Sequence, residues 1–101
     1  FLKTESWILH RKKFYLYPII MRVKIIQSGQ KFSAISKYDI VLFLWQNSFQ
    51  KEKTIEQFMI NYARRAVLFN DENIRANTIN DFVDDLEELK HIEIKEKPIL
   101  N

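Results

Sequence analysis

Acidic side chains are concentrated in one short stretch near the end of this 101-residue chain. They are Asp81, Asp84, Asp85, Glu87 and Glu88. Such a cluster suits three roles: a solvated surface, a docking patch for a basic protein surface, or a source of paired carboxylates for acid–base catalysis. We expect Asp81, Asp84, Asp85 and Glu88 to contact a protein partner.

Basic side chains dominate the first 37 residues, and Phe14, Tyr15 and Tyr17 lie among them. The basic residues before and after this aromatic stretch are Arg11, Lys12, Lys13, Arg22, Lys24, Lys31 and Lys37. Lysine and arginine neutralise phosphates, and aromatic rings stack on bases. The alternative hypothesis is therefore nucleic-acid binding through Lys12, Lys13, Arg22 and Lys24. The same pattern also suits a solvated hairpin face whose aromatic residues lie in the core.

The composition excludes several kinds of chemistry. The chain has no cysteine, two histidines and one glycine, which rules out disulfides, thiolate zinc sites and glycine-rich phosphate loops. His10 and His91 are far apart in sequence. His91 and Glu93 would share one strand face, a pairing more typical of a surface than of an active site. We therefore expect no metal, no cofactor and no enzymatic activity.

Net charge changes sign along the chain. Residues 1–37 sum to +7, residues 38–69 to +1 and residues 70–101 to −5. Opposite ends could pair within one molecule or between copies, so the pattern is compatible with homo-oligomers. Residues 1–20 carry a net +3, equal to that of the whole chain. We interpret residues 1–20 as a processed or non-native extension, 21–97 as one domain and 98–101 as a tail.

One apolar run organises the predicted fold. Ser36 and Asp39 have the spacing of a capping box, and six apolar residues follow from Ile40 to Trp45. This pattern favours a central helix, apolar on nearly every side, that the other elements surround. A buried strand is the alternative, because a short apolar run fits either structure.

Further capping boxes and periodic apolar residues predict two more helices. The three helices are expected at about 37–49, 54–69 and 78–90, with a loop between the last two that includes one helical turn at 71–76. Alternation predicts a hairpin of residues 22–27 and 30–35 around Ser28-Gly29, and a third strand at 92–94. The predicted fold class is α+β: three helices packed with a small antiparallel sheet.

The apolar runs are too short to span a bilayer. The run from Phe14 to Met21 has eight residues and contains Pro18, whereas a transmembrane helix needs about 20. No small-residue cleavage site follows this run, so it does not resemble a signal peptide. We expect a soluble, cytoplasmic protein with no membrane partner, and the sequence leaves an organelle open.

The segment T-I-N-D-F-V-D-D-L-E-E-L-K-H-I-E-I, residues 78–94, resembles the recognition helix and first wing strand of winged helix-turn-helix proteins. Leu86 and Leu89 stand where that family has core leucines, and Lys90-His91 stands at its turn. The resemblance implies a winged-helix-like fold. Two departures disfavour its DNA-binding role: five carboxylates on the recognition helix would repel phosphate, and little chain remains for a wing hairpin.

The two charged clusters lead to two functional hypotheses. In the first, a small non-catalytic protein binds a protein partner through its acidic helix. Because the acids can imitate phosphate, it would act as an inhibitor or accessory factor of a nucleic-acid-handling machine, of the type found in phages or mobile elements. In the second, the basic N-terminal half binds nucleic acid or the ribosome.

Overall fold

The computed structural model describes residues 19–98 and has three helices and one three-stranded antiparallel sheet. The strands are β1 (Ile19–Ile25), β2 (Lys31–Ala34) and β3 (Ile92–Pro98). The helices are α1 (Lys37–Gln46), α2 (Ile55–Asn70) and α3 (Ile79–Glu88). The strand order is β2-β1-β3, so the hairpin and the C-terminal strand share one sheet. The predicted α+β class is confirmed.

The hairpin between β1 and β2 closes at the one glycine of the chain. Gly29 has a φ of +78° and donates its N–H to the carbonyl of Ile25 at 2.7 Å. Ile25 in turn donates to the carbonyl of Gln30 at 2.8 Å. A β-carbon at Gly29 would meet nothing within 4 Å. Glycine is therefore needed here for its backbone conformation alone.

Each helix begins at a hydroxyl side chain that caps its first turn, as the sequence predicted. Ser36 accepts a hydrogen bond from the Asp39 N–H at 3.1 Å, Thr54 from Gln57 at 3.0 Å, and Thr78 from Asp81 at 3.1 Å. Each contact satisfies one N–H that has no partner within the helix. The capping signals therefore located all three helix starts.

Two predicted features at helix ends differ from the structure. α1 ends at Gln46, not near residue 49. The Asn47 N–H still donates to the carbonyl of Phe43, four residues back, but the Ser48 N–H donates to Trp45, three residues back, and so leaves the α-helical pattern. The predicted helical turn at 71–76 is absent. Asp71 ends α2 in the left-handed conformation, with a φ of +56°, and the chain after it is irregular.

The core lies between one face of the sheet and the three helices. Alternate strand residues point into it, and the helices contribute their apolar stripes. The sheet supplies Met21, Val23, Ala34 and Ile92, and the helices supply Ile40, Val41, Phe58, Met59, Phe82, Val83 and Leu86. Aromatic rings meet edge to face at its centre, where Tyr62 and Phe82 have centroids 5.6 Å apart. Ile74 from the loop before α3 closes one side.

The run from Ile40 to Trp45 is helical, as predicted, but the helix is not enclosed on every side. α1 packs against α2, α3 and β2, and buries Ile40 and Val41 completely. The next four residues are each partly exposed. The indole of Trp45 donates to the carbonyl of Glu52 at 2.7 Å and so ties α1 to the connector before α2.

The strands extend beyond the predicted domain limits of 21 and 97. Ile19 pairs with Pro98, and Ile20 pairs with Lys97. A domain cut at those limits would therefore remove paired residues from β1 and β3 at one end of the sheet. After α3, β3 pairs with β1, and residues 19–98 contain no second strand that would complete a wing. The winged-helix resemblance is not confirmed.

Candidate functional site

The face of the sheet that points away from the core is basic. Because Val23 and Ile92 point inward, their neighbours along each strand point outward. The described polar residues that point outward on the three strands are Arg22, Lys24, Lys31, Ser33, Glu93 and Lys95. They line an open depression of about 610 Å³. Four cations and one acid thus point out from a single surface, which we call the basic sheet face, and a second acid, Glu96, borders the depression.

Like charges lie directly opposite one another across these strands. Arg22 is opposite Lys95, and Lys24 is opposite Lys31. Only the pairing of Lys24 with Glu93 is between opposite charges. Directly opposed like charges destabilise a sheet by a few tenths of a kcal/mol, up to about 1 kcal/mol per pair. The fold therefore carries two unfavourable pairs at this face.

Ion pairs within residues 20–96 form in other parts of the molecule. They join Lys37 to Asp84, Arg65 to Glu52, Arg75 to Asp81 and Asp85, and His91 to Glu72. None of them includes a cation of the basic sheet face. In the part of the chain that the structure describes, these four positive charges therefore have no carboxylate within 4 Å.

The structure places two of the four predicted nucleic-acid contacts on this face. Arg22 and Lys24 lie two residues apart on β1 and point the same way, whereas Lys12 and Lys13 lie outside the described residues. The predicted set lacked Lys31 and Lys95, which flank Arg22 and Lys24 on the neighbouring strands. The alternating residues at the start of β3 could have indicated a strand that includes Lys95. The strand with which β3 pairs was unknown from the sequence.

Asp85 does not lie on the exposed face of α3, contrary to prediction. It is 8% exposed, and its carboxylate accepts three hydrogen bonds from Arg75. The Arg75 backbone N–H and guanidinium Nη2 donate at 2.8 Å, and Nε donates at 3.0 Å. The guanidinium, and then the backbone N–H, hold the pKa of Asp85 below its usual range. These contacts indicate that Asp85 fixes the loop before α3.

The other three acids of the predicted docking patch have different surroundings. Asp81 lies 3.3 Å from the Arg75 guanidinium, and Asp84 lies 2.8 Å from the Lys37 ammonium. Glu88 is exposed near the end of α3. Asp81 and Asp84 already have intramolecular cations beside them, which reduces the negative charge that the helix presents. Docking of a protein at Asp81, Asp84, Asp85 and Glu88 stays a prediction.

A chain of hydrogen bonds that the sequence did not reveal joins Tyr62, His91 and Glu72. The Tyr62 hydroxyl lies 2.6 Å from His91 Nδ1, and His91 Nε2 lies 2.7 Å from a Glu72 carboxylate oxygen. With a neutral imidazole, Glu72 requires Nε2 to donate, so Nδ1 accepts from the tyrosine. The three residues are 10 to 29 positions apart in sequence, so no spacing rule could have found them.

This chain of bonds is suited to holding elements together. Burial raises the pKa of Tyr62 to about 12, with the Arg65 charge opposing and Glu72 adding to the shift. The hydroxyl therefore stays protonated and donates its hydrogen bond at neutral pH. The contacts connect α2, the loop after it and the turn before β3, so they fix the position at which β3 enters the sheet.

Among the described residues, no group of three or more His, Asp or Glu side chains is placed to hold a metal ion. None of the described helices is both long enough and apolar enough to cross a membrane. Comparison of the chain with known protein families, with curated proteins and with solved structures gave no match.

Proposed function

We propose that the chain is a non-catalytic nucleic-acid-binding domain that holds a phosphate backbone against the basic sheet face. The observation that supports this most directly is the double like-charge pairing of Arg22 with Lys95 and of Lys24 with Lys31. An arrangement that disfavours the free sheet becomes favourable when a polyanion lies on it. Bound phosphates would neutralise all four cations and release their counterions.

The spacing of the cations suits consecutive phosphates of one strand. Neighbouring strands lie about 4.8 Å apart, and residues two apart on a strand are about 6.7 Å apart. The backbone positions of the four cations therefore cover an area of about 10 by 7 Å. Their long lysine and arginine side chains reach beyond it. Ser33 lies beside Arg22 and can donate its hydroxyl to a phosphate oxygen.

The basic sheet face has the chemistry for phosphate contacts and lacks that for base stacking. Its described side chains include no aromatic ring, because Phe32, which also borders the depression, points inward and stacks on Phe43. Proteins that bind single strands through their bases use aromatic platforms. Phosphate contacts carry no direct sequence information. Binding should therefore be independent of sequence, with a moderate affinity that falls steeply as salt is added.

Salt-dependent binding of a labelled DNA duplex tests the proposal. If up to four phosphates are neutralised, raising salt from about 50 to about 200 mM should weaken binding by up to about 100-fold, as measured by fluorescence anisotropy. The double variant K24Q/K31Q should bind more weakly at all salt concentrations, and its salt slope should be smaller by about 2. It removes one like-charge pair together with the opposite-charge pairing of Lys24 and Glu93, so its net effect on folding should be small.

The matched control is K51Q/K53Q, which removes two exposed lysines from the connector between α1 and α2. It changes the net charge by the same amount and should retain the affinity and salt slope of the original chain. Equal losses of affinity in both double variants would show that binding depends only on overall charge, and this would contradict the proposal. So would the absence of binding to duplex and to single-stranded DNA or RNA at about 50 mM salt.

A further inference from the structure

β3 forms one edge of the sheet, and within residues 19–98 no strand pairs with its outer side. The strand is seven residues long, whereas the opposite edge strand, β2, has four. A long edge presents a row of free N–H and C=O groups that can pair with another chain. The outer side of β3 is therefore a candidate interaction surface.

The direction of each backbone group on β3 follows from one hydrogen bond. The carbonyl of His91 accepts from the Ile26 N–H at 3.0 Å, so this carbonyl points toward β1, while the His91 N–H donates to the carbonyl of Leu86 at 2.8 Å. Groups on an antiparallel strand alternate in direction, so those of Glu93 and Lys95 also point toward β1. Those of Ile92, Ile94 and Glu96 point outward.

We propose that a second copy of this chain pairs with the outer side of β3, antiparallel and centred on Ile94. In this register Ile94 lies opposite the partner's Ile94, and Ile92 lies opposite the partner's Glu96. All of these residues direct their backbone groups outward, so roughly six main-chain hydrogen bonds can form. The two-fold axis is perpendicular to the sheet, and the contact is isologous.

Charge complementarity selects this register. It places Glu93 opposite the partner's Lys95 and Lys95 opposite the partner's Glu93. Within one chain, Lys95 faces only Arg22 across the sheet, an unfavourable pair. The second copy would supply the carboxylate that Lys95 lacks. The partly exposed Ile94 would gain an apolar contact with its counterpart.

The neighbouring two-fold registers are less favourable. Centring on Glu93 or on Lys95 places that charge opposite its own copy. Centring on Glu96 places Lys95 opposite the partner's Lys97, again a like pair. Centring on Ile92 shortens the pairing, because β3 begins at that residue. The Ile94 register alone combines outward-pointing backbone groups with opposite charges, and it pairs residues 92–96, five of the seven residues of β3.

The result would be a continuous six-stranded sheet with both basic sheet faces on the same side. The contact consists of one strand from each chain, so it lies at the small end of the range of protein interfaces. We therefore expect a reversible dimer that forms as protein concentration rises. Failure of the dimer proposal would not contradict the proposed nucleic-acid binding, because self-association is measured without nucleic acid.

Sedimentation velocity from about 10 μM to about 1 mM protein tests the interface. The original chain should shift from the mass of one chain to that of two. E93K and K95E should each stay monomeric, since each creates two like-charge contacts at the interface. An equimolar mixture of the two variants should form a heterodimer, because every contact then joins opposite charges.

The control variant K31E makes the same charge change on β2 and should dimerise as the original chain does. K95E replaces the like pair with Arg22 by an opposite pair, so its monomeric state would not result from unfolding, and circular dichroism checks this. Three results would overturn the proposal: a monomeric original chain at about 1 mM, dimers of either single variant at the original concentration, or a mixture that stays monomeric.

Discussion

Arg75 and Asp85 form the most highly connected ion pair in the described structure. Three donors on Arg75 meet the two oxygens of one carboxylate, and the backbone N–H is one of them. The pair therefore fixes both the side chain and the path of the loop before α3. It also lets Ile74, the residue before Arg75, reach the core.

Replacement of Asp85 by asparagine should lower the free energy of unfolding by about 2 kcal/mol at pH 7, because charge-assisted hydrogen bonds to a largely buried group are lost. Urea denaturation measures this change. The control is Asp84→Asn, whose ion pair with Lys37 is exposed, and its effect should be below about 0.5 kcal/mol. Equal effects of the two variants would contradict the structural role of Asp85.

The same pair should make stability depend on pH in the acid range. The pKa of Asp85 is lowered in the folded chain, so its contribution is complete above its ordinary value of about 3.9 and is lost as pH falls through the lower folded value. The difference in stability between the original chain and Asp85→Asn should therefore shrink below about pH 4. An unchanged difference at about pH 3 would show that the carboxylate charge is not responsible.

At the scale of elements, the helices depend on hydroxyl caps, and loss of the cap should affect the fold most at α3. α3 supplies Phe82, Val83 and Leu86, which are completely buried, and it precedes β3 directly. Unwinding its first turn would disturb both the core and the edge of the sheet. The Thr78 cap, a single hydrogen bond to the Asp81 N–H, prevents this.

Thr78→Ala should lower the free energy of unfolding by about 1 kcal/mol, because one N–H of the first turn loses its partner. Ser33→Ala is the matched control, since it removes a hydroxyl from an exposed strand position and should change stability by less than about 0.5 kcal/mol. Chemical denaturation of both variants makes the comparison. A decrease in the free energy of unfolding as large in Ser33→Ala as in Thr78→Ala would contradict a stabilising role for the Thr78 cap.

At the scale of the whole molecule, charge is distributed between two surfaces. The helical side pairs its acids with Lys37 and Arg75, whereas the basic sheet face has no such pairs within the described residues. The proposed phosphate site and the proposed dimer edge both follow from this asymmetry. Lys95 belongs to both surfaces, so two chains joined at β3 would present one wider basic face.

This arrangement predicts that stability and binding change in opposite directions. Lys31→Glu turns the like pair with Lys24 into an opposite pair and should raise the free energy of unfolding by about 0.5 kcal/mol. It should also weaken binding to duplex DNA. Lys53→Glu, at an exposed position without a cross-strand partner, should leave stability nearly unchanged. A loss of stability in Lys31→Glu would contradict the cross-strand account.

The local elements were predictable because their signals lie within a few residues of one another. Ser36, Thr54 and Thr78 located the helix starts, and Gly29 located the hairpin turn. The candidate site was predictable only in part. Arg22 and Lys24 were identified from alternation along one strand, while Lys31 and Lys95 join them through pairing of strands that are distant in sequence.

The amino-acid sequence by itself determined the α+β class, the helix caps, the turn and the charge of each segment, since these depend on backbone preferences and on neighbouring side chains. Only the tertiary structure decided that β3 lies beside β1, that Asp85 faces Arg75 and that Tyr62 meets His91. The physical reason is that contacts between distant residues are selected by packing of the whole core. Local sequence patterns therefore constrain these contacts only weakly.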